Sequence, residues 1–242
     1  MQKSRKRPDF IHHQKFRILF FIREVVFGVE DGMISTLGVL TGIAIGTNSH
    51  FVVVLSGFVI IIVESISMGV GSYLSTKSVR EIEERKLKEE KIELKEWPEA
   101  ERKELVEMYI KDGWPLNLAE KMALTASENK SLFLQEMAHR ELRIYPKKLR
   151  KPAQGGVFMF FAYIIGGSIP VMPYLFLPVS SAITLSIIIT LIGLFVLGSV
   201  TTKFTKRRWW KAGLEMFFVA GIAALVGYIV GTVANSFIAN GF

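Results

Sequence analysis

Five apolar runs constrain this chain more than any other feature. They lie at about Val25–Ile45, Phe51–Leu74, Gly156–Leu175, Ser180–Val200 and Gly213–Ile238. About 20 apolar residues in a helix are enough to cross the hydrocarbon core of a bilayer. Backbone polar groups in lipid must be satisfied within the segment, so each run is expected to be helical. Half the residues are hydrophobic and the mean hydropathy is +0.35, too apolar for an ordinary soluble domain. The expected fold is an all-α integral membrane protein. It has a basic juxtamembrane segment (1–24), spans 1 and 2 (25–74), a polar helical module (75–151) and spans 3 to 5 (152–242).

The basic residues orient the spans. Residues 80–150 hold 16 basic and 16 acidic side chains, so the whole net charge of +8 lies outside them, around the apolar runs. That placement suits membrane topology and argues against nucleic-acid binding. The N-terminal segment, the polar module and the loop with Lys203, Lys206, Arg207, Arg208 and Lys211 are rich in Lys and Arg. The turn at 46–50, the turn around Pro178 and the C-terminus have none. Five spans then place the N-terminus and module in the cytoplasm and the C-terminus outside or in a lumen. The N-terminal segment resembles a signal peptide at first, but Arg23 and Glu24 interrupt its apolar run and no cleavage site follows.

Residues 80–96 are rich in Glu, Lys and Leu and are expected to be helical. Trp97-Pro98 and Trp114-Pro115 each end one helix and start another. Ser131 is placed to cap a fourth. Leu105, Met108, Tyr109, Leu118, Met122, Leu132, Phe133 and Met137 are the expected core of the module. In span 3, Gly166-Gly167-Ser168-Ile169-Pro170 is expected to loosen or kink the helix, and Gly227-x-x-x-Gly231 permits close helix approach in span 5.

Span 1 carries two adjacent carboxylates, Glu30 and Asp31. A charge inside a membrane costs roughly 2.5–3.5 kcal/mol on insertion scales, so such groups need a partner, a cavity or an ion. At about 1.5 Å per residue, Asp31 and Met68 lie at one depth, roughly 9 Å below the cytoplasmic surface. Glu64 is one turn from Met68 on the same face. Carboxylates with a thioether suit a first-row divalent ion such as Fe²⁺, while Met68 alone would be ordinary packing. Glu30 points about 100° away from Asp31; it either pairs with Arg23 or offers a second proton site.

Glu90 with Glu93, Glu101 with Glu104, and Met137 with Glu141 each share a helix face. Three such faces make an oxygen-rich pocket with one sulfur ligand if they meet. Spacing alone does not separate that from a solvated helix surface. Glu136-x-x-His139 matches the repeat of di-iron carboxylate bundles, but no second copy exists. With no Cys there is no thiolate site or disulfide. No phosphate-binding loop or Ser-His-Asp arrangement stands out, and an enzyme is not expected.

Taken together, Arg23-Glu24-Val25-Val26-Phe27-Gly28-Val29-Glu30-Asp31-Gly32, Ser67-Met68-Gly69-Val70-Gly71-Ser72-Tyr73-Leu74-Ser75, Glu101-Arg102-Lys103-Glu104-Leu105 with Tyr109 and Gly113, and Met137 with Glu141-Leu142 resemble the vacuolar iron transporter family. The resemblance covers nearly the whole chain from Arg23. It implies a homodimer with a pore between two copies of span 1, exporting Fe²⁺ and similar divalent ions (Mn²⁺, Co²⁺ or Zn²⁺) from the cytosol against inward proton movement. It implies no permanent cofactor, the metal being the substrate and H⁺ the coupling ion. Asp31 and Met68 match the in-membrane ion residues of the family; Glu90, Glu93, Glu101, Glu104, Met137 and Glu141 match its metal-binding residues. This chain departs at Glu30, where the family is usually neutral, and at Ser72, where many members have Glu; Glu64 is an acid outside the pattern. The alternative is a non-transporting membrane metal-binding or interaction protein.

Overall fold

The computed structural model describes residues 16–145 and 151–239. The basic segment 1–15 and Pro146 lie outside the described residues. Among those described, every regular element is an α-helix: α1 (Phe16–Thr47), α2 (His50–Glu96), α3 (Pro98–Lys111), α4 (Leu116–Ser127), α5 (Lys130–Arg140), α6 (Pro152–Phe176), α7 (Val179–Thr205) and α8 (Trp209–Ala239). Five stretches are long and apolar enough to cross a membrane: Ile22–Thr47, α2, α6, α7 and Trp209–Phe237. The chain is a multi-pass membrane protein. Two compact units form, Met1–Tyr73 with Ala153–Phe242, and Leu74–Pro152.

The first unit is held by small residues at helix crossings, the usual device where lipid removes any hydrophobic drive between helices. A Cβ on Gly227 would collide with the carbonyl of Gly38, and one on Gly231 with that of Gly42. Gly227-x-x-x-Gly231 therefore serves one specific contact, α8 against α1. Against α6, a Cβ on Gly32 would lie 2.5 Å from the Tyr163 carbonyl oxygen, and one on Gly166 would strike the backbone of Val29. A Cβ on Gly156 would meet the Gly69 carbonyl oxygen at 2.7 Å, bringing α6 against α2. Leu40, Val53, Ile61, Val171 and Tyr174 fill the space between these helices. Large apolar side chains such as Phe58, Ile62, Ile192, Phe218 and Ile222 point outward, as lipid-facing surfaces require.

Helix α6 runs as one element through Pro170 and Pro173. The Ser186 hydroxyl donates to the Pro170 carbonyl at 2.7 Å, giving a backbone acceptor in this Pro-containing stretch a partner on α7.

Span 2 and the Glu/Lys-rich stretch after it are one helix, α2, rather than two elements. Ion pairs at i,i+4 support the polar half: Arg80–Glu84 at 2.7 Å and Arg85–Glu89 at 2.8 Å. In the second unit Pro98 occupies the first turn of α3 as expected. Gly113 takes φ +96° between α3 and α4, a conformation that favours glycine. The cap of α5 is Asn129, not Ser131: its side chain accepts from the backbone N–H groups of Ser131 and Leu132. The core of this unit is Leu105, Tyr109, Ala119, Ala123, Ala126, Phe133 and Met137, flanked by Met108 and Met122. Leu118 and Leu132, expected in it, are exposed, because the faces turned to the core are those of Ala119, Ala123 and Ala126 on α4 and of Phe133 and Met137 on α5.

Candidate functional site

In the first unit, Asp31 is half-buried on α1 and Glu64 is exposed on α2. Glu64 lies near enough to bear electrostatically on Asp31, and both bear on Tyr163 of α6. Met68, half-buried, is one turn along α2 from Glu64. A hydroxyl chain fixes the α1 backbone at this point. Ser35 Oγ donates to the Asp31 carbonyl at 2.6 Å and lies 2.6 Å from the Tyr163 hydroxyl. Serine has one proton to give, and the carbonyl can only accept. Tyr163 therefore donates to Ser35, and Ser35 to Asp31.

Glu30 does not pair with Arg23. Arg23 bonds the fully buried Glu24 next to it at 2.9 Å, leaving Glu24 Oε2 without a hydrogen bond. Glu30 instead faces like charge, from Asp31 and from Glu215 of α8. Glu215 itself holds Arg207 at 3.3 Å. Tyr163, Ser35 and Glu215 were missed in the sequence. The signals were a lone phenol beside Gly166-Gly167 and an acid just inside the start of span 5.

In the second unit, the carboxylates of Glu90, Glu101 and Glu141 each place an oxygen within 4.8 Å of the others. They come from α2, α3 and the residue capping α5. Glu90 is 1% exposed and its Oε1 has no hydrogen-bond partner. Burial, followed by the charges of Glu141, Glu101 and Glu93, pushes its carboxyl up to about 8. Burial also raises Glu101, helped by Glu104, Glu93 and Glu141. Glu104 is exposed at the edge; burial, Glu141, Glu107 and Glu93 raise it while Lys111 opposes them. A buried carboxylate oxygen without a donor, among like charges, is satisfied by a proton or a cation. Hard oxygens from three elements fit a divalent ion. Met137 is fully buried in the apolar core of this unit.

The Glu136-x-x-His139 motif is not a ligand pair. Glu136 accepts from Tyr109 and Arg140, and the His139 ring packs on Tyr145 with centroids 4.5 Å apart.

Fold and site define a multi-span helical membrane protein with carboxylates grouped in both of its units. The chain belongs to the VIT family, whose sequence model matches residues 22–232. It is 27% identical over 215 residues to vacuolar iron transporter 1 of Arabidopsis thaliana, covering 88% of this chain and 86% of that protein. Vacuolar iron transporter 1 of Tulipa gesneriana is 26% identical, covering 93% and 92%. The vacuolar iron transporter of Toxoplasma gondii is 28% identical, covering 88% and 74%.

Proposed function

We propose that this protein exports Fe²⁺ and similar divalent ions (Mn²⁺, Co²⁺ or Zn²⁺) from the cytosol in exchange for protons, working as a homodimer. The placement that carries the reading is Asp31 on α1 near Glu64 on α2, two membrane-length helices, with Tyr163 of α6 beside both. A carboxylate such as Asp31 within a membrane span calls for an offsetting charge, and a divalent cation or a proton supplies it. Alternating those two occupants is what metal–proton exchange requires. The relatives are named iron transporters, which supports the metal-transport part of this reading and favours a transporter over an enzyme.

In the proposed sequence, Glu90, Glu93, Glu101, Glu104, Met137 and Glu141 collect the ion at the cytoplasmic face. Asp31 and Met68, with Glu64 and Glu30 beside them, pass it between the two copies of α1. Protons arriving from the far side compete for the same carboxylates and release the metal outward. The N-terminus and the polar module lie in the cytoplasm, and the C-terminus lies outside or in a lumen.

The test is Mn²⁺ uptake into proteoliposomes under an imposed pH gradient, with proton movement followed by a trapped dye. Wild type should take up metal and move protons in the opposite direction, and Asp31→Ala should do neither. Equal transport by the mutant would remove Asp31 from the pathway. Metal binding without flux in wild type would identify a binding protein instead.

A further inference from the structure

We infer that Arg140 and Glu136 are positioning residues for the Glu90–Glu101–Glu141 cluster, holding Glu141 in place through a bonded lock between α3 and α5. The inference rests on the reading of that cluster as a divalent-ion site.

The lock has four members. Arg140 Nε donates to Glu136 Oε2 at 3.0 Å, and its terminal nitrogen reaches Asp112, the residue capping α3. The Arg140 guanidinium lies 4.3 Å above the ring of Tyr109, on α3. The Tyr109 hydroxyl donates to the same Glu136 oxygen at 3.1 Å. Tyr109 is buried, and Glu136 and Arg140 are half-buried, so the two bonds to Glu136 are partly shielded from competing water, while the Asp112 end is exposed.

Position along α5 makes the lock relevant to the cluster. Glu136 and Arg140 each directly precede a proposed ligand, Met137 and Glu141. Glu141 is the cap of a helix only 11 residues long, and its own N–H bonds the Met137 carbonyl at 2.9 Å. A helix of that length is marginal alone and frays at its end. Pinning positions 136 and 140 to α3 fixes the rotation of α5 about its axis. That directs Glu141 toward Glu101, which α3 itself carries.

Charge and positioning predict opposite signs for one substitution. Removing the Arg140 cation from an acidic cluster would by itself tighten cation binding. Losing the lock would weaken it, by about tenfold or more if it behaves as outer-shell partners of metal ligands do.

The test is Mn²⁺ titration of the full-length protein in detergent, following free Mn²⁺ by electron paramagnetic resonance. An Asp31→Ala background isolates binding at the second unit. Arg140→Ala should raise the Mn²⁺ dissociation constant about tenfold, and Arg140→Lys should raise it less by keeping part of the contact. Unchanged or tighter binding in Arg140→Ala would overturn the inference. Tyr109→Phe removes one hydroxyl and leaves the core intact. If Arg140→Ala does not fold, Tyr109→Phe decides: weaker binding at an unchanged melting temperature supports the lock, and unchanged binding overturns it. Glu101→Gln separates the two levels. If it leaves Mn²⁺ binding intact, the cluster is not the ion site and the underlying reading fails. If it weakens binding while the lock variants do not, only the positioning role fails.

Discussion

Tyr163 donates its hydroxyl proton to Ser35 across the α1–α6 contact, and Ser35 passes its own to the carbonyl of Asp31. The acid at the centre of the proposed ion path is thus tied through its backbone to another helix. Its carboxylate is left to other partners. The bare Cα of Gly32 lets α6 come close enough for the bond.

That chain should be cooperative. Tyr163→Phe and Ser35→Ala should each lower stability by about 1 kcal/mol, the net worth of a typical hydrogen bond. Because Ser35 belongs to both bonds, the double variant should cost less than the sum of the singles. Thermal unfolding in detergent of the four proteins of this cycle measures the coupling, and strict additivity would break the proposed link.

The α1–α8 crossing should not tolerate even one methyl group. Gly227→Ala places a Cβ on the Gly38 carbonyl and should destabilise by about 1–3 kcal/mol through overpacking. Gly221→Ala, on the same helix with nothing within 4 Å of its Cβ, should be neutral or slightly stabilising. Melting temperatures of the two variants make the comparison within one helix.

Glu90 gives a signed pH dependence. Its carboxyl is raised from the ordinary 4.5 to about 8, by burial first and then by Glu141. The folded protein thus holds this proton more tightly than the unfolded chain. The stabilisation is complete below pH 4.5 and is lost as pH rises through about 8, so the metal-free melting temperature should fall across that window. An ion binding here must displace the proton, so Mn²⁺ affinity should rise with pH, by about tenfold per unit below pH 8. Glu90→Gln should flatten both curves. An unaltered pH profile in that variant would assign the dependence to another group.

Asn129 should matter to the second unit despite its distance in sequence from most of the carboxylates. It caps α5, and Asn129→Ala should cost about 1 kcal/mol. Hydrogen exchange should show faster opening of residues 130–140, and Ser131→Ala should leave it unchanged, since Ser131 contributes its backbone N–H to the cap rather than its hydroxyl.

The spans and the helical character of the module were legible because hydrophobic run length and Glu/Lys-rich composition are local properties. Pro98 marked the start of α3 for the same reason. The continuity of α2 was less visible: the composition changes sharply after Leu74, and the i,i+4 ion pairs that support the polar half begin only beyond that change. Asn129 displaced Ser131 as the cap because both are good cap residues two positions apart, and packing of Phe133 and Met137 into the core selects the phase of α5. Leu118 fell outside the core for a similar reason, since side-chain direction follows from how α4 is seated.

The amino-acid sequence by itself determined that the chain spans a membrane, which acids lie in the first two spans, and which helix faces of the module carry carboxylates. These follow from burial cost and helical period, which depend on neighbours along the chain. Only the tertiary structure decided that Glu90, Glu101 and Glu141 converge, and that Arg23 belongs to Glu24 rather than Glu30. It also set Tyr163 against Ser35 and engaged Glu136 with Arg140 and Tyr109. Arg23–Glu24 and Glu136–Arg140 lie within one helix, but the convergence of the three carboxylates and the Tyr163–Ser35 and Tyr109–Glu136 contacts depend on the rotation of one helix against another. That rotation is set by backbone approach at glycines and by packing across large sequence separations, which no local pattern encodes.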